Sequence, residues 1–210
     1  MIFCLDLKEK IIEGSAELFK TYGIKSVTMD SIANHFGISK RTIYEIFSDK
    51  DELLMAVLAK MAQQQKVLAK RVLDESENSL VAIFRMFEIN RTIFQTMSPA
   101  FQADLKKYHY DILIMNSENI ELPDYRNNFQ IIEKGIKEGL FRKDINSELA
   151  NRCLFNLGRS IMDNELFPYD QFSRRDVIRN IFFNYLRGIS TVKGLELINR
   201  LEEKFLEKTD

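Results

Sequence analysis

Apolar residues recur along this chain with a helical period. Over residues 8–22, Ile12, Ala16, Phe19 and Gly23 fall at i, i+4, i+7 and i+11, one stripe of an amphipathic helix that Gly23 is expected to stop. Thr28 then stands where an N-cap belongs, Asp30 suits the positive end of the helix dipole, and Met29, Ile32, Ala33 and Phe36 mark a second helix of about two turns. Gly37 can take the left-handed conformation that turns the chain sharply, Ile38 can plug the corner, and Ser39 can cap a third short helix running through Phe47. Ser48, Asp49, Lys50 and Asp51 read as another cap, after which Leu54, Val57, Leu58 and Met61 carry a fourth, longer helix toward residue 73. A polar break over 75–79, together with Pro99, Pro123 and Pro168, separates further helices expected near 80–97, 99–117, 124–139, 147–165, 174–190 and 193–207. No strand-like alternation interrupts the series, so the predicted class is all-α.

Three short helices with a glycine at the turn are the minimum that can hold one helix proud of a small core and lay it in the DNA major groove. In the third helix Ile43 and Phe47 stand one turn apart and can face inward, which leaves Lys40, Arg41, Thr42 and Tyr44 outside. Arg41 has the planar fork that pairs with the two acceptors of a guanine edge, and Thr42 can meet a thymine methyl or a phosphate; Lys40 and Arg41 are the candidate base readers. Thr28, Ser39, Tyr44 and Lys50, at helix starts or on the flank, suit phosphate oxygens and would position the unit without reading sequence.

Read continuously, Thr28-Met29-Asp30-Ser31-Ile32-Ala33-Asn34-His35-Phe36-Gly37-Ile38-Ser39-Lys40-Arg41-Thr42-Ile43-Tyr44-Glu45-Ile46-Phe47-Ser48-Asp49-Lys50-Asp51-Glu52-Leu53-Leu54 resembles the signature of the TetR/AcrR family of transcriptional regulators. With Phe19, Gly23 and Val27 the resemblance covers about fifty residues. Arg41 stands where the family usually has a small residue, and Ile46 where it usually has a second tyrosine that often touches the DNA backbone. A weaker likeness follows at Glu133–Ile145, similar to the family's habitual helix end and turn. The resemblance implies a helix-turn-helix DNA-binding domain over 1–50 and a larger helical effector-binding and dimerisation domain over 51–210. It further implies a homodimer on an imperfectly palindromic operator of double-stranded DNA, with half-sites roughly one turn apart. It implies, too, an apolar cavity for a small hydrophobic effector, for which Asn90, Arg91, Gln95, His109 and Asn116 are the candidate polar groups. The family's dimer-forming pair of helices would here present Leu157, Ile161, Ile178, Phe182, Tyr185 and Ile189.

Composition changes this picture little. A chain of 210 residues, 45% hydrophobic, can bury one full core or a small and a larger one. Its net charge is −1, and residues 1–60 hold eight Lys and Arg against nine Asp and Glu, so any attraction to DNA must come from where the charges sit. Lys25, Lys40, Arg41 and Lys50 gather around the proposed DNA face, while Glu9, Glu13 and Glu17 lie on the first helix. Two cysteines, Cys4 and Cys153, and two histidines, His35 and His109, without metal-ligand spacing predict no disulfide framework, no metal, no cofactor and no enzymatic nucleophile. With no signal-peptide apolar region and no apolar run near the ~18–20 residues that cross a bilayer, a cytoplasmic protein without a membrane partner is expected. The alternatives are a helical protein-interaction module and a DNA-binding dimer that answers to no small molecule.

Overall fold

The computed structural model of the protein describes residues 2–105 and 129–206. Among these the chain is helical, with one isolated antiparallel bridge, Phe141 to Ser190, in place of any strand. The helices are α1 (Ile2–Tyr22), α2 (Met29–His35), α3 (Lys40–Ile46), α4 (Lys50–Glu75), α5 (Ser79–Gln95), α6 (99–105 of the described residues), α7 (Phe129–Lys137), α8 (Ser147–Ile161) and α9 (Arg174–Val177). A π-helical segment, Ile178–Phe183, leads from α9 into α10 (Asn184–Ile189), and α11 (Val192–Leu206) follows. The first helix starts six residues earlier than expected, because nothing between Ile2 and Lys8 breaks the backbone ladder.

The chain forms two compact units, Met1–Gln65 with Gln95–Pro123, and Lys66–Phe94 with Asp124–Asp210. This differs from a single cut after residue 50: the first unit takes the opening turns of α4 and also a segment from much later in the chain.

The first unit is built on Ile11, Phe19, Ile24, Ile32, Ile43, Phe47, Leu53, Leu54 and Val57, all buried. Helix α6 enters this core through Phe101, which is fully buried. Ser98 starts it, accepting from the Phe101 N–H (3.2 Å) while its own N–H donates to the Lys20 carbonyl (2.9 Å), an orphan acceptor at the end of α1. The Asp104 carboxylate, also buried, accepts the Lys25 N–H at 2.9 Å, just past the turn at Gly23.

The second unit packs around Phe84, Phe87, Phe182, Phe183 and Phe205, whose rings meet in tilted, stacked and edge-on pairs. Phe182 and Phe183, neighbours in sequence on the π-helical segment, are both buried in this core. Arg174 locks the loop before α9, donating to the carbonyls of Ile161 and Phe167 and lying 3.9 Å from the Tyr169 ring.

Four of the residues expected at a dimer contact, Ile161, Ile178, Phe182 and Ile189, are buried in the unit's own interior. Leu157 and Tyr185 are half-buried, and the Tyr185 hydroxyl donates to the Ala150 carbonyl at 2.7 Å. A stripe at helical spacing identifies a face that needs covering; it does not say whether the same chain covers it.

Candidate nucleic-acid interface

Local hydrogen bonds shape the surface around α2 and α3. Thr28 caps α2 by accepting the Ser31 N–H (3.1 Å), and the Ser31 hydroxyl accepts the Thr28 N–H (2.9 Å), a reciprocal capping box. At the other end Gly37, with φ +63°, closes a Schellman turn: its N–H reaches the Asn34 carbonyl and the Ile38 N–H the Ala33 carbonyl. Two residues later Ser39 caps α3, accepting the Thr42 N–H at 3.0 Å. The α2–α3 corner is thereby fixed within a dozen residues.

Ile43 and Phe47 pin α3 to the core. Opposite them, on the open side of α3, the Arg41 side chain is 88% exposed and that of Glu45 60%. Tyr44 is exposed on the flank. Arg41 Nε donates to Glu45 Oε1 at 2.9 Å, one helical turn along. Lys40 Nζ holds both oxygens of Asp30 on α2, at 2.8 and 3.0 Å, and lies 6.0 Å from the centre of the Tyr44 ring. The Asp30 carboxylate, chiefly through this hydrogen bond, raises the Lys40 pKa above its ordinary value, so Lys40 stays charged in any physiological buffer.

The remaining expected contacts fall as follows. Thr28 and Ser39 are exposed, with their hydroxyls engaged in the caps. Thr42 is half-buried and shares a hydrogen bond with Ser39 at 2.8 Å. Lys50 opens α4 half-buried; desolvation pushes its pKa down, against the opposing pull of Asp104 and Asp51. Asp49 caps α4, accepting the Glu52 N–H at 2.8 Å, while Glu52 reaches back to the Ser48 N–H at 2.7 Å. Asp30, Glu45 and Asp104 were not among the expected site residues. The four-residue spacing of Arg41 and Glu45 is a signal that could have found one of them; the other two pairings need the tertiary fold.

Of the expected effector residues, Asn90 and Gln95 are exposed on α5, Arg91 is half-buried, and His109 and Asn116 lie outside the described residues. A surface groove of about 390 Å³ in the second unit is lined by Glu77, Asn78, Glu138, Leu140, Lys193, Leu197 and Arg200, none of them an expected ligand residue. Among the described residues no group of three His, Cys, Asp or Glu could hold a metal ion, and no helix is long and apolar enough to cross a membrane.

Residues 11–57 match the family model described as bacterial regulatory proteins, tetR family. Over 144 residues the chain is 28% identical to the uncharacterized HTH-type transcriptional regulator YhgD of Bacillus subtilis, covering 66% of this chain and 73% of that one. It is 24% identical over 156 residues to the HTH-type transcriptional repressor KstR2 of Rhodococcus jostii, covering 70% and 74%. In fold it is similar to a γ-butyrolactone receptor described as ArpA-like (TM-score 0.63, 20% identity, 98% and 99% covered). It is also similar to the TetR family protein CprB of Streptomyces coelicolor, solved with its biological operator sequence (TM-score 0.60, 19% identity, 98% and 99% covered).

Proposed function

The chain belongs to the TetR family of bacterial transcriptional regulators, and from that premise we propose that it represses transcription as a homodimer on a palindromic operator, which it releases when a small hydrophobic effector binds. The observation that carries this reading is α3 itself: a helix pinned by Ile43 and Phe47 that offers Arg41, Tyr44 and Lys40 on its open side. An interaction module would have no need of a cationic fork and a tyrosine on a helix held proud by a capped turn. Arg41 reads a base edge, Thr28, Ser39 and Tyr44 meet the backbone, and Lys40 and Lys50 add charge at the flanks. Thr42, with its hydroxyl turned to Ser39, has its methyl left for a base contact.

The homodimer places two such helices in successive major grooves. Its contact face is proposed on the part of α8 left uncovered by the subunit core, Leu149, Cys153 and Leu157, beside Tyr185. The likeness to a γ-butyrolactone receptor supports a small, largely apolar effector, with Asn90, Arg91, Gln95, His109 and Asn116 still the polar groups proposed for it. Effector release requires tighter binding to the subunit arrangement whose head spacing misfits the operator. A protein of this kind works in the cytoplasm and catalyses no reaction.

Fluorescence anisotropy with duplex from upstream of the protein's own gene, beside random duplex and over several salt concentrations, tests the reading. The expected result is selective binding with a steep salt slope, reduced roughly 5- to 150-fold by Arg41→Ala. No binding to either duplex at low salt would return the chain to the interaction-module reading. Thermal-shift screening of apolar small molecules then separates an effector-controlled regulator from one that answers to none.

A further inference from the structure

Arg41 and Glu45 flank Ile43 by two residues on either side. At ~100° per residue both therefore lie ~160° from the buried side chain, at the centre of the open face of α3. Lys40 is displaced toward α2, where Asp30 holds it. The centre of the reading face is thus a guanidinium and a carboxylate joined by one 2.9 Å hydrogen bond, from Nε to Oε1.

Stability does not account for this pair. Both partners are exposed, and an arginine placed N-terminal to a glutamate is the weaker order for an i, i+4 pair, contributing at most a few tenths of a kcal/mol. Its effect is geometric. Engaging Nε leaves the two terminal nitrogens of Arg41 as a free fork, since they carry no hydrogen bond to the described residues, and it sets a carboxylate oxygen beside them. Side by side the pair offers donor, donor, acceptor. The major-groove edge of a G·C pair offers the complement: the N7 and O6 acceptors of guanine, then the N4 amino donor of cytosine.

Resting on the DNA-binding reading above, we propose that Glu45 is a specificity-determining residue, and that Arg41 and Glu45 together read a guanine and a cytosine amino group at the centre of each operator half-site. Glu45 also works by exclusion. A thymine at the cytosine position turns its O4 acceptor toward the carboxylate, and a register that brings that charge onto a base acceptor or a phosphate is penalised. A unit with no net positive charge gains selectivity in this way, because acids on the reading face suppress binding to sequences that do not match.

The test is selection of a randomised duplex pool by the full-length protein, with sequencing of the bound fraction, for wild type, Arg41→Ala, Glu45→Gln and Glu17→Gln. Glu17→Gln removes one exposed acid from α1 of the same unit and controls for charge alone. Wild type should enrich a motif with a guanine whose preference disappears in Arg41→Ala. Glu45→Gln should weaken the preference for that G·C pair roughly 5- to 150-fold, with an A·T pair gaining at the same position, since a glutamine pairs with adenine N6 and N7. Glu17→Gln should enrich the wild-type motif. An unchanged motif in Glu45→Gln, with affinity for all duplexes raised equally, would overturn the proposal while leaving DNA binding intact. No motif from wild type would overturn both, and the two failures are thereby told apart.

Discussion

Gly23 and Gly37 both hold a positive φ, +84° and +63°, yet they differ in what a side chain would meet. A Cβ on Gly37 touches nothing within 4 Å, so Gly37→Ala should cost only the left-handed strain, about 1–2 kcal/mol. At Gly23 the same atom would stand 2.9 Å from Ala100 Cβ and 3.1 Å from Asp104 Oδ2, and Gly23→Ala should cost clearly more. Urea denaturation of the two variants checks this, and equal losses would sink it. Asp104→Ala should cost about 1–3 kcal/mol in the same assay, because the Lys25 N–H loses a buried acceptor. Glu52 titrates with a definite sign. The Ser48 N–H, then its hydroxyl, hold the Glu52 pKa below the ordinary value, so its contribution is complete above the unfolded pKa of about 4.3 and is lost as pH falls through the folded one. Glu52→Gln should therefore flatten the acid limb of the stability profile, and an acid limb identical to wild type would remove Glu52 from it.

The elements around the α2–α3 corner were legible from sequence because their signals are local. The reciprocal Thr28 and Ser31 bonds, the turn at Gly37 and the Ser39 cap all close within three or four residues, and no distant residue is needed to form them. Helix α6 is the opposite case. Its start at Pro99 was legible, but its placement in the first unit rests on Phe101, fully buried among residues more than forty positions earlier in the chain. Phe101→Ala should destabilise the first unit by about 3–5 kcal/mol and weaken DNA binding with it, although Phe101 lies far outside the recognition sequence. Thermal unfolding and anisotropy on one preparation check both parts, and an unaffected melting temperature would contradict the packing. The π segment lies where the sequence predicts ordinary helix, since apolar periodicity over a single turn does not distinguish i→i+4 from i→i+5 hydrogen bonding.

At the scale of the whole molecule, charge and association are the exposed questions. A chain of net charge −1 has no bulk attraction for DNA, so the salt dependence of operator binding should report the phosphate contacts around α2 and α3, with a slope of roughly −0.9 per contact. For association, Leu149 is 61% exposed on α8, on the face that the subunit core leaves open. Leu149→Asp should shift the protein from dimer to monomer in sedimentation velocity, and operator affinity should fall with it. A variant that sediments as wild type does would move the proposed contact away from this face.

What the sequence determined by itself is what short-range chemistry determines: helical elements from a 3.6-residue period, their ends from caps and positive-φ glycines, and a third helix whose inward residues, Ile43 and Phe47, are one turn apart. Even the Arg41–Glu45 pair lies within that reach, at i and i+4. What only the tertiary structure decided is which distant surface covers each apolar stripe and which charge answers each cation. Ile161, Ile178, Phe182 and Ile189 form a stripe in sequence whether their partner is the same subunit or another, and only the returning chain buries them within their own unit. Lys40 meets Asp30 across the α2–α3 corner, and the Lys25 N–H meets Asp104 from 79 residues away. Periodicity fixes the direction in which a side chain leaves its helix; what it meets there depends on the path of the rest of the chain.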